Sequence, residues 1–167
     1  MIAAITLPMA LSAGWGIAVA GLGAWLTDLT PWYFALRKPP WQPPDWLFGP
    51  AWSLILGCAS FAAYYGWTGA PNENTRWLVA GLFVFNGAAN MFWSELFFRR
   101  RRPDWSLVES AFLWLSVAAL VAVLWPISRP ASLLMVPYLL WVSFAINLNR
   151  DIVSRNRPFG MEPAWRP

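Results

Sequence analysis

Asn86 and Asn90 lie four residues apart inside an apolar stretch, so they share one helix face, and Trp93 and Phe97 carry that face onward. A second stripe at helical spacing joins Tyr138, Trp141, Ala145 and Leu148, with Phe144 beside it. Trp105 and Glu109 also sit one turn apart, pointing an indole and a carboxylate the same way. Tyr33, Trp46 and Trp52 lie in or beside a proline-rich connection. Flat rings stack on such aromatics, while indole N–H, phenol and amide groups orient whatever is bound. Groups that make or break bonds are scarce. The chain has no His, which removes the commonest metal ligand and the usual base near neutral pH. Its one cysteine, Cys58, sits in an apolar run and permits no internal disulfide. There is no Gly-rich phosphate loop, Cys pair or Ser–His set, so neither a hydrolase nor a metal centre is expected. Tyr33, Trp46, Trp52, Asn86, Asn90, Trp93, Trp105, Tyr138, Trp141 and Ala145 are therefore candidate walls of a pocket for a large, flat, mostly apolar ligand. The alternative is that these aromatics fill a bundle core or sit at a membrane surface, and spacing leaves both readings open.

These residues need elements to hold them. The chain is 58% hydrophobic and 12% charged, against roughly 25% charged in ordinary soluble domains. That deficit points to lipid as the solvent. Its 167 residues allow one domain. Apolar segments over about 6–26, 45–67, 75–98, 105–125 and 132–152 predict a five-helix membrane bundle of the all-α class, because a span needs about 20 residues. No basic region precedes the first segment, and it is long for a signal peptide, so it is expected in the mature protein. Gly14, Gly16, Ala18, Ala20, Gly21, Gly23 and Ala24 thin that segment, for close packing within the bundle or against a second copy. Between the first two segments, Trp32, Trp41, Trp46 and Trp52 alternate with Pro39, Pro40, Pro43, Pro44 and Pro50. Each Pro fixes φ and removes a donor, so this stretch is a stiff lid or an interfacial anchor, and not a long helix. Asp45 is expected to cap or open the second helix, and Pro137 to kink or loosen the fifth. The tail 157–167 is expected to be disordered.

Lys and Arg give an orientation. Five spans place Arg37, Lys38, Arg99 to Arg102, Arg150, Arg155, Arg157 and Arg166 on one side, and only Arg76 and Arg129 on the other. The richer side faces the cytoplasm by the positive-inside rule, which puts the N-terminus outside in a bacterial membrane, the inner one rather than the outer. Four spans would erase this asymmetry. The run Arg99–Arg102 reads as a topology anchor, with anionic lipid or RNA contact as the alternative. The net charge is +4, but its clustering at segment ends suits a membrane and not nucleic acid.

Taken together, Trp32-Tyr33, Leu36, Lys38-Pro39, Trp41, Pro43-Pro44, Gly49-Pro50 and Trp52 resemble the signature of the TspO/MBR family of tryptophan-rich sensory proteins. Asn86, Asn90, Trp93 and Phe97-Phe98 form a second matching block, and Pro137-Tyr138, Trp141, Phe144-Ala145 and Leu148-Asn149 a third. The resemblance covers about residues 6–156. It implies a homodimeric five-helix membrane protein whose first loop closes a pocket toward the cytosol. It implies no required cofactor, and protoporphyrin IX or haem as the ligand of a sensor or translocator. It also implies, in some bacterial members, light- and oxygen-dependent porphyrin breakdown, for which Trp52 and Trp141 would be the reacting indoles. A lipid-interacting structural protein without a defined ligand is the remaining alternative. The family's animal members carry a Tyr soon after the Leu-Asn pair as part of a cholesterol motif. Arg150-Asp151 stands there in this chain, so cholesterol is not an expected partner. Ser94-Glu95 replaces the animal double Pro, which fits a bacterial member and predicts a straighter helix end.

Overall fold

The computed structural model describes residues 2–160, with side chains from residue 7 onward. Every regular element among them is helical: α1 Ile2–Leu26, α2 Pro31–Ala35, α3 Phe48–Gly69, α4 Glu73–Ser94, α5 Pro103–Leu124 and α6 Arg129–Asn156. A 3-10 turn, Asp45–Leu47, leads into α3, and a π-helical turn, Glu95–Arg99, follows α4. Residues 161–167 lie outside the described residues, so the expectation for the tail applies only to 157–160, which follow α6 without regular structure.

Among the described residues, four stretches are long and apolar enough to cross a membrane: Leu7–Leu26, Asp45–Gly69, Pro103–Leu124 and Arg129–Asn156. The expected fifth, α4, matches them in length, 22 residues or about 33 Å, but not in hydropathy. The cause is its polar content: Glu73, Asn74 and Arg76 at one end, and Asn86 and Asn90 on its inner face. The long helices form a ring in the order α1, α3, α6, α5, α4 and back to α1.

One end of this ring is solid. Ala59, Ala62 and Gly66 of α3 and Ala131 of α6 are small enough to let Val117, Leu120, Leu124 and Met135 fill the space between helices. A Cβ on Gly66 would lie 2.5 Å from Leu124 Cδ2, so glycine is needed there for that approach. The small residues of α1 divide between neighbours. Gly16 abuts Ser60 of α3 and Gly23 approaches Asn90 of α4, while Gly14 and Gly21 touch nothing. Close packing therefore uses part of the run, as small-residue interfaces in lipid do.

The other end carries the lid, residues 27–47, in which α2 is a single turn started by Pro31. Asp45 opens the turn into α3 as its first-turn acid, one of the two roles expected of it, but does not cap that turn. No side chain caps the turn into α3. The Asp45 carboxylate instead accepts from Tyr33 Oη at 2.7 Å, Gln42 Nε2 at 3.0 Å and Lys38 Nζ at 3.4 Å, with Lys38 3.6 Å over the Tyr33 ring. Pro43 and Pro44 explain this: a stiff approach leaves the carboxylate facing back into the lid. Burial, then the adjacent Asp45 carboxylate, raises the Tyr33 hydroxyl above the ordinary tyrosine range, so it stays a donor.

α6 holds the lid down. The Arg37 amide donates to Asn156 Oδ1 at 2.8 Å, and Asn156 Nδ2 donates back to the Arg37 carbonyl at 3.0 Å. Trp41 Nε1 donates to Asp151 at 3.2 Å and its ring meets Phe144 edge-on at 5.6 Å. Trp32 and Tyr33 pack on Phe97 and Phe98 of the π turn. That turn replaces the straighter end expected at Ser94-Glu95: the Arg100 amide reaches the Glu95 carbonyl, so the last turn widens. Pro137 sits inside an α6 that remains continuous. Asn156→Ala removes both bonds to Arg37, and each neutral bond is worth about 0.5–1.5 kcal/mol. The Arg37 amide should then exchange its hydrogen about tenfold faster, with amides in α3 and α5 unaffected. Unchanged Arg37 exchange would show that the lid is held elsewhere.

Candidate functional site

Under the lid, inside the ring, lies a cavity of about 440 Å³. The helices lean together at the solid end through small residues and cannot also close at the lid end, where the walls carry Trp52, Trp93 and Trp141. Trp52 reaches in from the first turns of α3, Trp141 from mid-α6 and Trp93 from the end of α4. Phe48 meets Trp141 edge-on at 5.7 Å and joins the lid to the inner wall. Trp93 stacks on Phe97 at 5.1 Å.

The expected site residues fall into three groups. Tyr33, Trp52, Asn90, Trp93, Trp141 and Ala145 line the cavity. Asn86 and Tyr138 do not; they lie behind it. Asn86 is fully buried one turn further from the lid and donates to Ser116 Oγ at 2.8 Å. The Tyr138 hydroxyl accepts from Asn90 Nδ2 at 3.0 Å, and its ring underlies Trp52 edge-on at 5.7 Å. These two hold the wall residues in place. Trp46 and Trp105 are misplaced by the sequence reading. Trp46 is 71% exposed because the 3-10 turn rotates it away from the bundle. Trp105 is 53% exposed on the outer side of α5, with the Arg102 guanidinium 4.4 Å over its ring. Both meet the description of interfacial tryptophans better than that of walls of this inner cavity.

Sequence reasoning missed the contribution of α1. Val19, Ala20, Gly23, Ala24 and Thr27 form one wall, and the run of small residues was the available signal. It also missed Gln42 and Asp45, which close the cavity from the lid side.

The cavity offers two things to a guest. Its tryptophans give flat faces, and the Trp52 and Trp141 planes lie 82° apart at 6.4 Å. A planar molecule stacked on one of them therefore meets the edge of the other. The second is an unspent donor: Trp141 Nε1 is buried without any hydrogen-bond partner. A buried orphan N–H costs about 1–3 kcal/mol, so an acceptor brought by a guest is favoured there. Among the described lining residues Asp45 is the one carboxylate, and it is occupied by Tyr33, Gln42 and Lys38.

Comparison with known proteins agrees with this architecture. A tryptophan-rich protein TspO of Chlorobaculum tepidum is 38% identical over 154 residues, covering 90% of this chain and 96% of that one. A translocator protein of Bos taurus is 37% identical over 120 residues, 71% of this chain and 70% of its own. Protein CrtK of Rhodobacter capsulatus is 34% identical over 148 residues, 86% of this chain and 91% of its own. Residues 5–155 match the profile of the TspO/MBR family. Spanning helices with Arg-capped tryptophans at both ends, a lidded cavity and these likenesses together make the chain an integral membrane protein of the TspO/MBR family.

Proposed function

We propose that the lidded cavity binds a tetrapyrrole, and that the protein acts in the membrane as a sensor or translocator of that ligand. The observation that carries this reading is the buried, unpartnered Trp141 N–H in the wall of a tryptophan-lined cavity. With Trp52 set at 82° to Trp141, a flat macrocycle stacks on the Trp52 face and turns an acceptor toward the Trp141 edge. The donor set favours the metal-free ring, protoporphyrin IX, over haem. The chain has no His, Cys58 does not line the cavity, and the Tyr33 hydroxyl is held by Asp45, so haem iron finds no ready axial ligand. Titration of detergent-solubilised protein with protoporphyrin IX should quench tryptophan emission saturably. Trp52→Phe with Trp141→Phe should weaken Kd at least tenfold, about 1.4 kcal/mol. Trp46→Phe and Trp105→Phe, outside the cavity, should leave it unchanged. An unaltered Kd in the double variant would sink the site assignment. If neither porphyrin nor any other flat ligand raises Tm, the lipid-interacting structural alternative stands instead, since a ligand at 100 times its Kd contributes about 2.7 kcal/mol.

The paired indoles favour a second reading, light-driven oxidation of the bound ring. Oxygen is the oxidant: the light-excited ring activates O2, which adds across one meso C=C bond, breaks it and leaves two carbonyls. A neighbouring indole can return an electron to a ring radical, so no acid or base is needed. Illuminating the complex in air should bleach porphyrin and yield an open-chain pigment, and both should slow in Trp141→Phe. Loss no faster than with an unrelated detergent-solubilised membrane protein excludes this activity.

The same reading assigns α4 as a fifth span, with the lid side cytoplasmic and the N-terminus outside, on the strength of the Lys and Arg asymmetry. In a Cys58→Ser background, Glu73→Cys should react with an impermeant maleimide from outside intact cells, and Arg101→Cys only after permeabilisation. Reaction of both from one side would mean that α4 does not cross.

A further inference from the structure

A second cavity, about 680 Å³, lies outside the ring between α4 and α5. Phe85, Ala88 and Phe92 of α4 face Trp105, Glu109 and Phe112 of α5 across it. Phe85, Phe92 and Phe112 are exposed, so the groove opens sideways to lipid. It begins at the lid end, where Trp105 lies beneath Arg102. It ends at Phe112, about 10 Å further along α5, or roughly a third of a 30 Å hydrocarbon core. A groove of that length belongs to one leaflet.

Its one carboxylate has an oxygen without a partner. Glu109 is only 7% exposed, and its Oε2 has no hydrogen-bond partner. The nearest cation in sequence, Arg102, is committed to Asp104 through two hydrogen bonds, at 2.8 and 2.6 Å. A carboxylate in hydrocarbon without a partner is expensive, and residues of this kind mark a ligand or an ion path more often than they mark packing. Ala88 leaves the floor low, where a larger residue would fill the groove.

The geometry points to a binding site for a membrane amphiphile with a protonated primary amine, its ammonium against Glu109 and its apolar body along Phe92, Phe112 and Phe85. An ionised carboxylate only accepts hydrogen bonds, and an ammonium supplies both donors and the opposite charge. The described residues of a second copy of this chain supply no such cation at that depth. Their Lys and Arg lie in loops or near helix ends, and the innermost on the lid side, Arg150, is beside Asn149, which pairs with Ser106, one turn nearer the surface than Glu109.

Native mass spectrometry of the full chain released from detergent tests this, with octadecylamine as the probe and octadecanol and stearic acid as controls. The wild type should retain one octadecylamine and neither control. Glu109→Gln should lower amine occupancy at least tenfold while leaving protoporphyrin IX binding intact, because Glu109 does not line the inner cavity. Ala88→Phe, which fills the groove and leaves the carboxylate in place, should abolish amine retention and carries the test if Glu109→Gln does not fold. Equal retention by Glu109→Gln, or equal retention of the alcohol, overturns the assignment. So does a disulfide-linked dimer formed in membranes by Val108→Cys in a Cys58→Ser background, which would give the groove to a second copy.

Discussion

A polar side chain in the apolar middle of this bundle needs a partner. Most buried serines find one on the backbone close by in sequence, while the amides and indoles find theirs on another helix. Asn86 turns to Ser116, Asn90 to Tyr138, Trp114 to Ser143, and the Asn149 amide lies 2.9 Å from Ser106. Trp15 of α1 donates to the Phe83 carbonyl of α4 at 3.0 Å, which the bare Cα of Gly87 makes possible. Each such bond in a membrane contributes about 0.6 kcal/mol on average. Their sum is smaller than the packing energy of the helices, but they set the rotation of each helix. Rotating α4 by one residue would turn Asn86 and Asn90 toward lipid.

Among the described residues, four buried side-chain atoms escape this rule: Thr30 Oγ1, Asn86 Oδ1, Glu109 Oε2 and Trp141 Nε1. Two of them belong to residues that line cavities, Trp141 and Glu109. One is an N–H at the edge of a tryptophan-lined chamber, and the other is a carboxylate in an apolar groove. The chemistry that each would accept is opposite in sign, an acceptor for the first and a cation for the second. A single ligand class therefore does not suit both.

The chamber persists because close packing is spent at one end of the ring. Alanines and glycines bring α3, α5 and α6 together around Leu120 and Leu124, and the helices diverge toward the lid. A flexible loop would collapse into that gap. This one does not, because its prolines restrict the backbone and its ends are tied down, Asp45 gathering Tyr33, Lys38 and Gln42 while Asn156 grips Arg37. Arginines stacked on tryptophans at both ends, Arg99 on Trp25 and Arg129 on Trp125, suit a bundle fixed at its depth in the bilayer.

Much of this was legible from residue order. Apolar length announced four of the five long helices, while α4 falls short in hydropathy, and spacings of four and three placed Asn86, Asn90 and Trp93 on one inward face, because helical periodicity is a local property. Proline density announced, for the same reason, that residues 27–47 carry no long helix. What local pattern could not show was which way a residue turns where periodicity breaks. Trp46 and Trp105 stand at helix starts, and a 3-10 turn and an exposed first turn carry them outside. Asp45 looked like a cap and became a clasp, since its partners Tyr33 and Lys38 reach it only once the lid is folded. Whether α1 lined the chamber, and whether Glu109 had a partner, depended on the order of helices around the ring. That order is set by long-range packing between segments far apart in the chain, and no spacing within a segment encodes it.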